Sequence, residues 1–321
     1  LYNNMGKKSV LFDLENDKSI DQLNHMLTGY DVFLEDFGAS FRADMGLDPS
    51  YFMTNHSNLI EISVTPFGLS GPYARWKSTP LIQLALGGYL TLTGLFDREP
   101  LMLPGYQPDY LTGLNAYNAV QIALLERDIT GLGQFLELSM LETLVNLHQY
   151  PFDIDNGPRI RNGNKPSHLA GSEEFLCGIT TVVASDGYVT FAAGNESIWE
   201  LLCLMIEQER TPDNATFLGF KGTTESCEEV DRVLMDWMQE KTKVQVFHEA
   251  STGWSIPTAP ILTLEEVLSD PQYLYRGLFQ NMVHPVFTNL TFPKVPFTTS
   301  DGISPIERPP TLGEHTWDYI K

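Results

Sequence analysis

Residues 103–114, Leu103-Pro104-Gly105-Tyr106-Gln107-Pro108-Asp109-Tyr110-Leu111-Thr112-Gly113-Leu114, set one carboxylate, Asp109, where a long helix begins. Pro108 and the apolar positions that follow (Leu111, Leu114, Ala116, Tyr117, Val120 and Leu124) mark a helix start with an amphipathic body. A carboxylate there can accept backbone N–H groups and feels the positive end of the helix dipole, which favours its charged form. By itself the placement also describes an ordinary helix cap. Other site chemistries find little in the chain. It contains no GxGxxG, P-loop, GxSxG, HExxH or EF-hand loop. Its seven histidines are scattered, so neither a metal cage nor a triad is expected, and no metal is assigned. Asp153 and Asp155 lie close enough for paired-carboxylate work, but in a polar stretch that reads as solvated.

The elements that must position Asp109 alternate in type. Residues 9–12, 30–34, 59–65 and 134–138 read as strands, and 20–27, 81–92 and 109–127 as helices. Such alternation predicts an α/β fold, a Rossmann-like parallel sheet covered on both faces. Sites in these sheets lie at the carboxyl ends of the strands. Residues 1–150 thus form a large domain, and residues 151–176 a linker whose stretch from Asp153 to Ser172 is rich in Asn, Gly, Pro and Arg. Thr180 to Ala193, turning at Ser185-Asp186-Gly187, reads as a β-hairpin. With helices at 198–206 and 227–239 it makes a small α/β domain, 177–262. Residues 263–321 carry a short helix (264–268) and a Pro-rich tail expected to return to the large domain.

Composition bounds the function further. The 321 residues, 42% hydrophobic, suffice for about two cores, and no apolar run approaches the ~20 residues of a membrane span. A net charge of −21 argues against nucleic acid and anionic membranes as partners. A polyanionic ligand therefore needs a local basic pocket. The three cysteines are widely spaced and odd in number, which argues against a disulfide scaffold and fits a reducing, cytoplasmic setting.

Taken in order, several segments resemble the class III CoA-transferase family, which includes formyl-CoA and carnitine-CoA transferases and also α-methylacyl-CoA racemases. Residues 3–14, Asn3-Asn4-Met5-Gly6-Lys7-Lys8-Ser9-Val10-Leu11-Phe12-Asp13-Leu14, are similar to its N-x-x-K-[KR]-S-[VI]-x-x-D-L element. Val32-Phe33-Leu34-Glu35-Asp36-Phe37 resembles V-x-x-E-N-F, with Asp36 for the usual Asn. Thr65-Pro66-Phe67-Gly68-Leu69-Ser70-Gly71-Pro72-Tyr73 matches [ST]-x-[FY]-G-x-x-G-P-Y. Glu126-Arg127 with Thr130-Gly131-Leu132-Gly133-Gln134 matches E-R-x-x-T-G-x-G-Q, and residues 264–277 and 309–315 look like the closing elements.

The resemblance implies that Asp109 is the covalent nucleophile. It would attack an acyl-CoA thioester and pass through an anhydride and an aspartyl-CoA thioester before a small carboxylic acid takes the CoA. A carboxylate nucleophile must be shielded, because anhydrides hydrolyse. Coenzyme A is then the cofactor-like substrate, with Lys7, Lys8, Arg42 and Lys77 as its cations and Phe37 and Met45 as apolar walls. The resemblance also implies an interlocked homodimer, or a tandem pseudo-dimer within one longer chain. Three departures stand out. The chain starts at an element that family members place after an earlier strand and loop, so the first part of the large domain is expected to be missing. Pro80 replaces an acidic residue, and Asp44 stands where relatives often place an Arg. They keep open a non-catalytic half or fragment. A racemase or lyase on the same fold is a further alternative, although Thr79-Pro80 stands where a racemase has its His base.

Overall fold

The computed structural model describes the chain except residues 15–18, 49–50, 92, 94–98, 148–174, 209–214, 218, 301, 303–305 and 321. Helix α1 (Ser19–Met26) precedes the sheet segment, in which β1 (Val32–Glu35), α2 (Gly38–Asp44) and α3 (Tyr51–Asn55) lead to β2 (Ile60–Thr65). From there α4 (Pro80–Leu86) and α5 (Gln107–Thr130) lead to β3 (Phe135–Ser139) and α6 (Met140–Asn146). β2 pairs in parallel with β1 on one side and β3 on the other, with Ile62 opposite Leu34 and Leu136. Helical crossovers are what parallel neighbours require. The central strand is buried at Ile60, Glu61, Ile62 and Ser63, and Phe52, Leu84 and Leu144 of the neighbouring helices are buried as well.

Helix α5 owes its limits to Pro108 in the first turn and to Gly131, whose left-handed φ of 74° lets its N–H return to the Arg127 carbonyl at 2.7 Å. Gly133 is required for a different reason. A Cβ there would lie 1.9 Å from the Leu59 carbonyl oxygen, so only glycine lets the chain pass β2 into β3.

Beyond residue 174 the chain builds a separate core. β4 (Phe175–Leu176) is followed by the hairpin β5 (Ile179–Ala184) and β6 (Gly187–Ala192), whose pairing of Ala184 with Gly187 leaves the tight turn Ser185-Asp186. Helix α7 (Glu196–Met205), β7 (Lys221–Gly222), α8 (Thr224–Trp237), α9 (Lys243–Phe247) and β8 (Thr258–Pro260) complete it. Val189, Phe191, Trp199, Leu202, Val230 and Leu234 are its buried apolar residues. Asn195 caps α7 by accepting the Ile198 N–H at 3.0 Å.

This core corrects the reading of the cysteines, because Cys177 and Cys227 are joined as a disulfide, with Cys203 buried outside the crosslink. Fifty residues separate the pair in sequence. The pairing of β4 with β7, continued by the Cys177 N–H to the Phe220 carbonyl, brings Cys177 against the start of α8. The argument from unpaired thiols to a reducing compartment therefore loses its footing.

By its internal contacts the chain divides into Tyr30–Ile261 and a second unit, Leu1–Gly29 with Leu262–Lys321. The second unit holds α10 (Leu264–Ser269), α11 (Pro271–Tyr275), the hairpin of β9 (Phe279–His284) with β10 (Thr288–Pro293), and α12 (Thr316–Tyr319). Residues 1–29 thus group with the tail. The strand expected at residues 9–12 does not form. Ser9 instead exchanges bonds with the tail, its N–H to His315 Nδ1 and its carbonyl accepting the His315 N–H, while Leu11 N–H reaches Thr316 Oγ1. Arg308 and Glu314 make a bidentate pair that helps hold Glu314 down to about 2. The predicted linker lies outside the described residues, apart from its last two. Among the described residues no helix is long and apolar enough to cross a membrane.

Candidate active site

The carboxyl ends of the three parallel strands are Glu35, Thr65 and Ser139, and each passes into a segment that bears on the site. From β1 the chain enters α2, flanked by Phe37 as its N-cap and Met45 as its C-cap. Phe37 is half-buried, its ring 5.0 Å from that of Phe41 and 6.1 Å from that of Phe33. From β2 the chain makes a loop over residues 66–78. Gln83 draws its two ends together, its Nε2 donating to the Pro66 carbonyl at 3.1 Å and to Ser78 Oγ at 2.7 Å. Glu137 of β3 holds the middle by accepting the Leu69 N–H at 2.7 Å. The loop carries an exposed aromatic stack of Tyr73 on Trp76, 4.2 Å between centroids, beside the exposed Lys77. Pro80 is simply the first residue of α4, where its fixed φ suits the helix start and Thr79 caps it.

Asp109 lies in the first turn of α5. Arg127 near the other end bonds the Asn58 carbonyl at 3.1 Å and Asp31 at 2.9 Å, which pins α5 to the amino ends of β1 and β2. From Arg127 back to Asp109 the helix rises about 27 Å. β2, Ile60–Thr65, covers about 17 Å. α5 packs on β2 and β3, and with Arg127 held at the strands' amino ends its first turn, with Asp109, lies toward their carboxyl ends. Its carboxylate is exposed and accepts no hydrogen bond from any described residue. The N-cap position is Tyr106, without a side-chain cap, so Asp109 is not spent on capping. Residues 1–316 match the sequence model described as CoA-transferase family III. This chain belongs to that family.

The CoA-transferase is 27% identical over 317 residues to the succinate–glutarate CoA-transferase of Agrobacterium fabrum, covering 97% of this chain and 77% of that protein. It is 24% identical to human succinyl-CoA:glutarate CoA-transferase, over 99% of this chain and 72% of the other. A CAIB/BAIF family protein from Brucella suis shares the fold with a TM-score of 0.81 at 24% identity, covering 98% of this chain and 81% of that one.

In this CoA-transferase Phe37, Met45, Lys77 and Asp109 all ride on segments at the carboxyl end of the sheet. Lys7 and Lys8 are exposed in the other unit, lining a cavity of about 320 Å³ with Arg308, Glu314 and His315. Arg42 departs from its expected role as a phosphate cation. It is 4% exposed, and its guanidinium is fully engaged inside the protein. Nη1 donates to Glu35 Oε1 at 2.7 Å and Glu61 Oε1 at 2.8 Å, Nε to the Leu47 carbonyl and Nη2 to the Asp48 carbonyl, both at 3.1 Å. A long cationic side chain on a seven-residue helix can turn inward as readily as outward, and two buried carboxylates decide the matter. Asp44, one turn end away, is exposed.

Glu35 and Glu61 were missed by sequence reasoning. Burial pushes Glu61 from 4.5 up to about 7, against the pull of Arg42 and with the help of Glu35 and Asp48. The available signal was a lone Glu inside the apolar run Leu59-Ile60-Glu61-Ile62, which in a strand buried on both faces demands a partner.

Proposed function

We propose that this enzyme moves CoA from an acyl-CoA to a small carboxylic acid through Asp109. The observation that carries the reading is the exposed Asp109 carboxylate in the first turn of α5, which accepts no hydrogen bond from any described residue. The carboxylate adds to the thioester carbonyl and expels CoA thiolate, giving an acyl-aspartyl anhydride. The thiolate then attacks the aspartyl carbonyl, releases the donor acid and leaves an aspartyl-CoA thioester. An acceptor carboxylate repeats the two steps in reverse order and departs as its CoA thioester, restoring Asp109. Lys77 supplies positive charge for CoA, and Phe37 and Met45 apolar walls. Small dicarboxylic acids are the acceptor class suggested by the relatives' names, succinate and glutarate among them.

An anhydride needs shelter from water, which an exposed Asp109 lacks in a single chain. α5 presents Tyr110, Leu114, Tyr117, Ile122, Leu125 and Ile129 to solvent, the last at 88% exposure. An apolar face of this length on one helix is a docking surface. A second copy of the chain is its occupant in this reading, forming the interlocked dimer and closing over Asp109. The test is to mix the protein with a panel of acyl-CoAs, quench with hydroxylamine or borohydride, and read the Asp109 peptide by mass spectrometry. A hydroxamate or alcohol at Asp109, dependent on acyl-CoA, is expected. An unmodified Asp109 in folded protein across the panel refutes the covalent mechanism and favours a non-catalytic role.

A further inference from the structure

Arg42 ties three segments to one guanidinium. It reaches Glu35 at the end of β1, Glu61 near the start of β2, and the carbonyls of Leu47 and Asp48 in the turn after α2. The other Glu35 oxygen, Oε2, accepts the backbone N–H of Phe37. Both ends of the Phe37–Met45 segment are therefore anchored through the same buried cluster, Phe37 by Glu35 and the turn beyond Met45 by Arg42. The Phe135 ring of β3 closes the cluster, 5.3 Å from the guanidinium carbon.

The charges in this cluster do not balance. Two carboxylates, exposed by no more than 1%, share one cation, and Glu61 Oε2 is buried without a hydrogen bond. The groups facing Glu61 are Arg42 from α2, Glu35 from β1, Asp48 from the following turn and the uncharged Phe135 ring from β3. A proton on Glu61 leaves these three side chains neutral in sum. Its loss leaves a net negative charge in the interior, which any movement that lets water in relieves.

We propose that Glu35, Arg42 and Glu61 form a positioning unit that sets the grip of the Phe37–Met45 segment on CoA, and that loss of the Glu61 proton loosens that grip. The inference rests on the reading of Phe37 and Met45 as walls for CoA. None of the three residues touches the ligand. They act through the segment they hold. The closed arrangement binds the proton and CoA together, so raising the pH favours the open one.

The experiment measures the dissociation constant of CoA by calorimetry from about pH 6 to about pH 8.5, alongside hydrogen exchange, corrected for the intrinsic pH dependence of the amides, of the peptide covering residues 36–48 without ligand. It uses the wild type, Glu61→Gln, which cannot ionise, and Arg42→Lys, which cannot reach four acceptors. CoA's own titration is common to all three proteins and cancels in the comparison. The wild type is expected to lose about tenfold more affinity over this range than Glu61→Gln, as exchange of the segment accelerates in step. Arg42→Lys is expected to bind CoA weakly throughout and to exchange rapidly even at the acid end. Parallel affinity profiles for wild type and Glu61→Gln, or pH-independent exchange in the wild type, overturn the inference while leaving the CoA-transferase mechanism intact. Absence of CoA binding at every pH in all three proteins removes the CoA-wall reading itself, and this inference with it.

Discussion

Replacing Glu61 by Gln is expected to flatten the dependence of the sheet's stability on pH. Glu61 is fully buried in the central strand, and its native carboxyl titrates at about 7 against 4.5 in the unfolded chain. The native state therefore holds the proton more tightly and binds more protons than the unfolded state between those values. Its stabilising contribution is complete below 4.5, declines across the window and is gone above about 7. The separation of the two values corresponds to about 3 kcal/mol. Gln keeps an oxygen to accept from Arg42 and cannot ionise. Whatever fixed cost its amide group brings is the same at every pH and drops out of the comparison. Arg42 stays charged throughout. Hydrogen exchange of peptides spanning β2, corrected for the intrinsic chemistry of the amides, reads the opening free energy of this strand directly. From about pH 4.5 to about pH 8 the wild type is expected to lose about 3 kcal/mol relative to the variant. Parallel profiles would refute the assignment of the buried proton to Glu61.

The disulfide closes a loop of 50 residues, for which the chain-entropy model gives about 4 kcal/mol. Reduction, or Cys227→Ala, is expected to lower the unfolding free energy of the hairpin core by that order in urea, and an identical midpoint with and without reductant would contradict the crosslink. Gly133→Ala sets a methyl 1.9 Å from the Leu59 carbonyl oxygen and is expected to cost about 3 kcal/mol or more, seen as a lower melting temperature by circular dichroism. Unchanged melting would mean that β2 and β3 yield there without cost.

Much of this molecule could be read from local pattern. The apolar run at Leu59–Thr65, the long helix opened by Pro108 and closed by Gly131, and the turn at Ser185-Asp186 each depend on residues close together in sequence. Periodicity and backbone preference act at that range. Asp109 was legible for the same reason, because a helix start marks itself within a few residues. The hairpin of β9 and β10 was not read, since Asn, Thr and Gln interrupt its apolar alternation. Residues 9–12 have the composition of a strand and none of the neighbours, so they bond to the tail instead.

The sequence by itself thus determined many of the helices and strands, that the three strands β1, β2 and β3 run parallel, and that a lone carboxylate stands at the head of α5. Tertiary structure alone decided the partners of Arg42 and the pairing of Cys177 with Cys227. The choice between a phosphate-facing and a buried guanidinium depends on where Glu61 lies, nineteen residues away in sequence and 2.8 Å away in space. Burial, ion pairing and crosslinking are set by distances that only the packed chain defines, and no local preference encodes them.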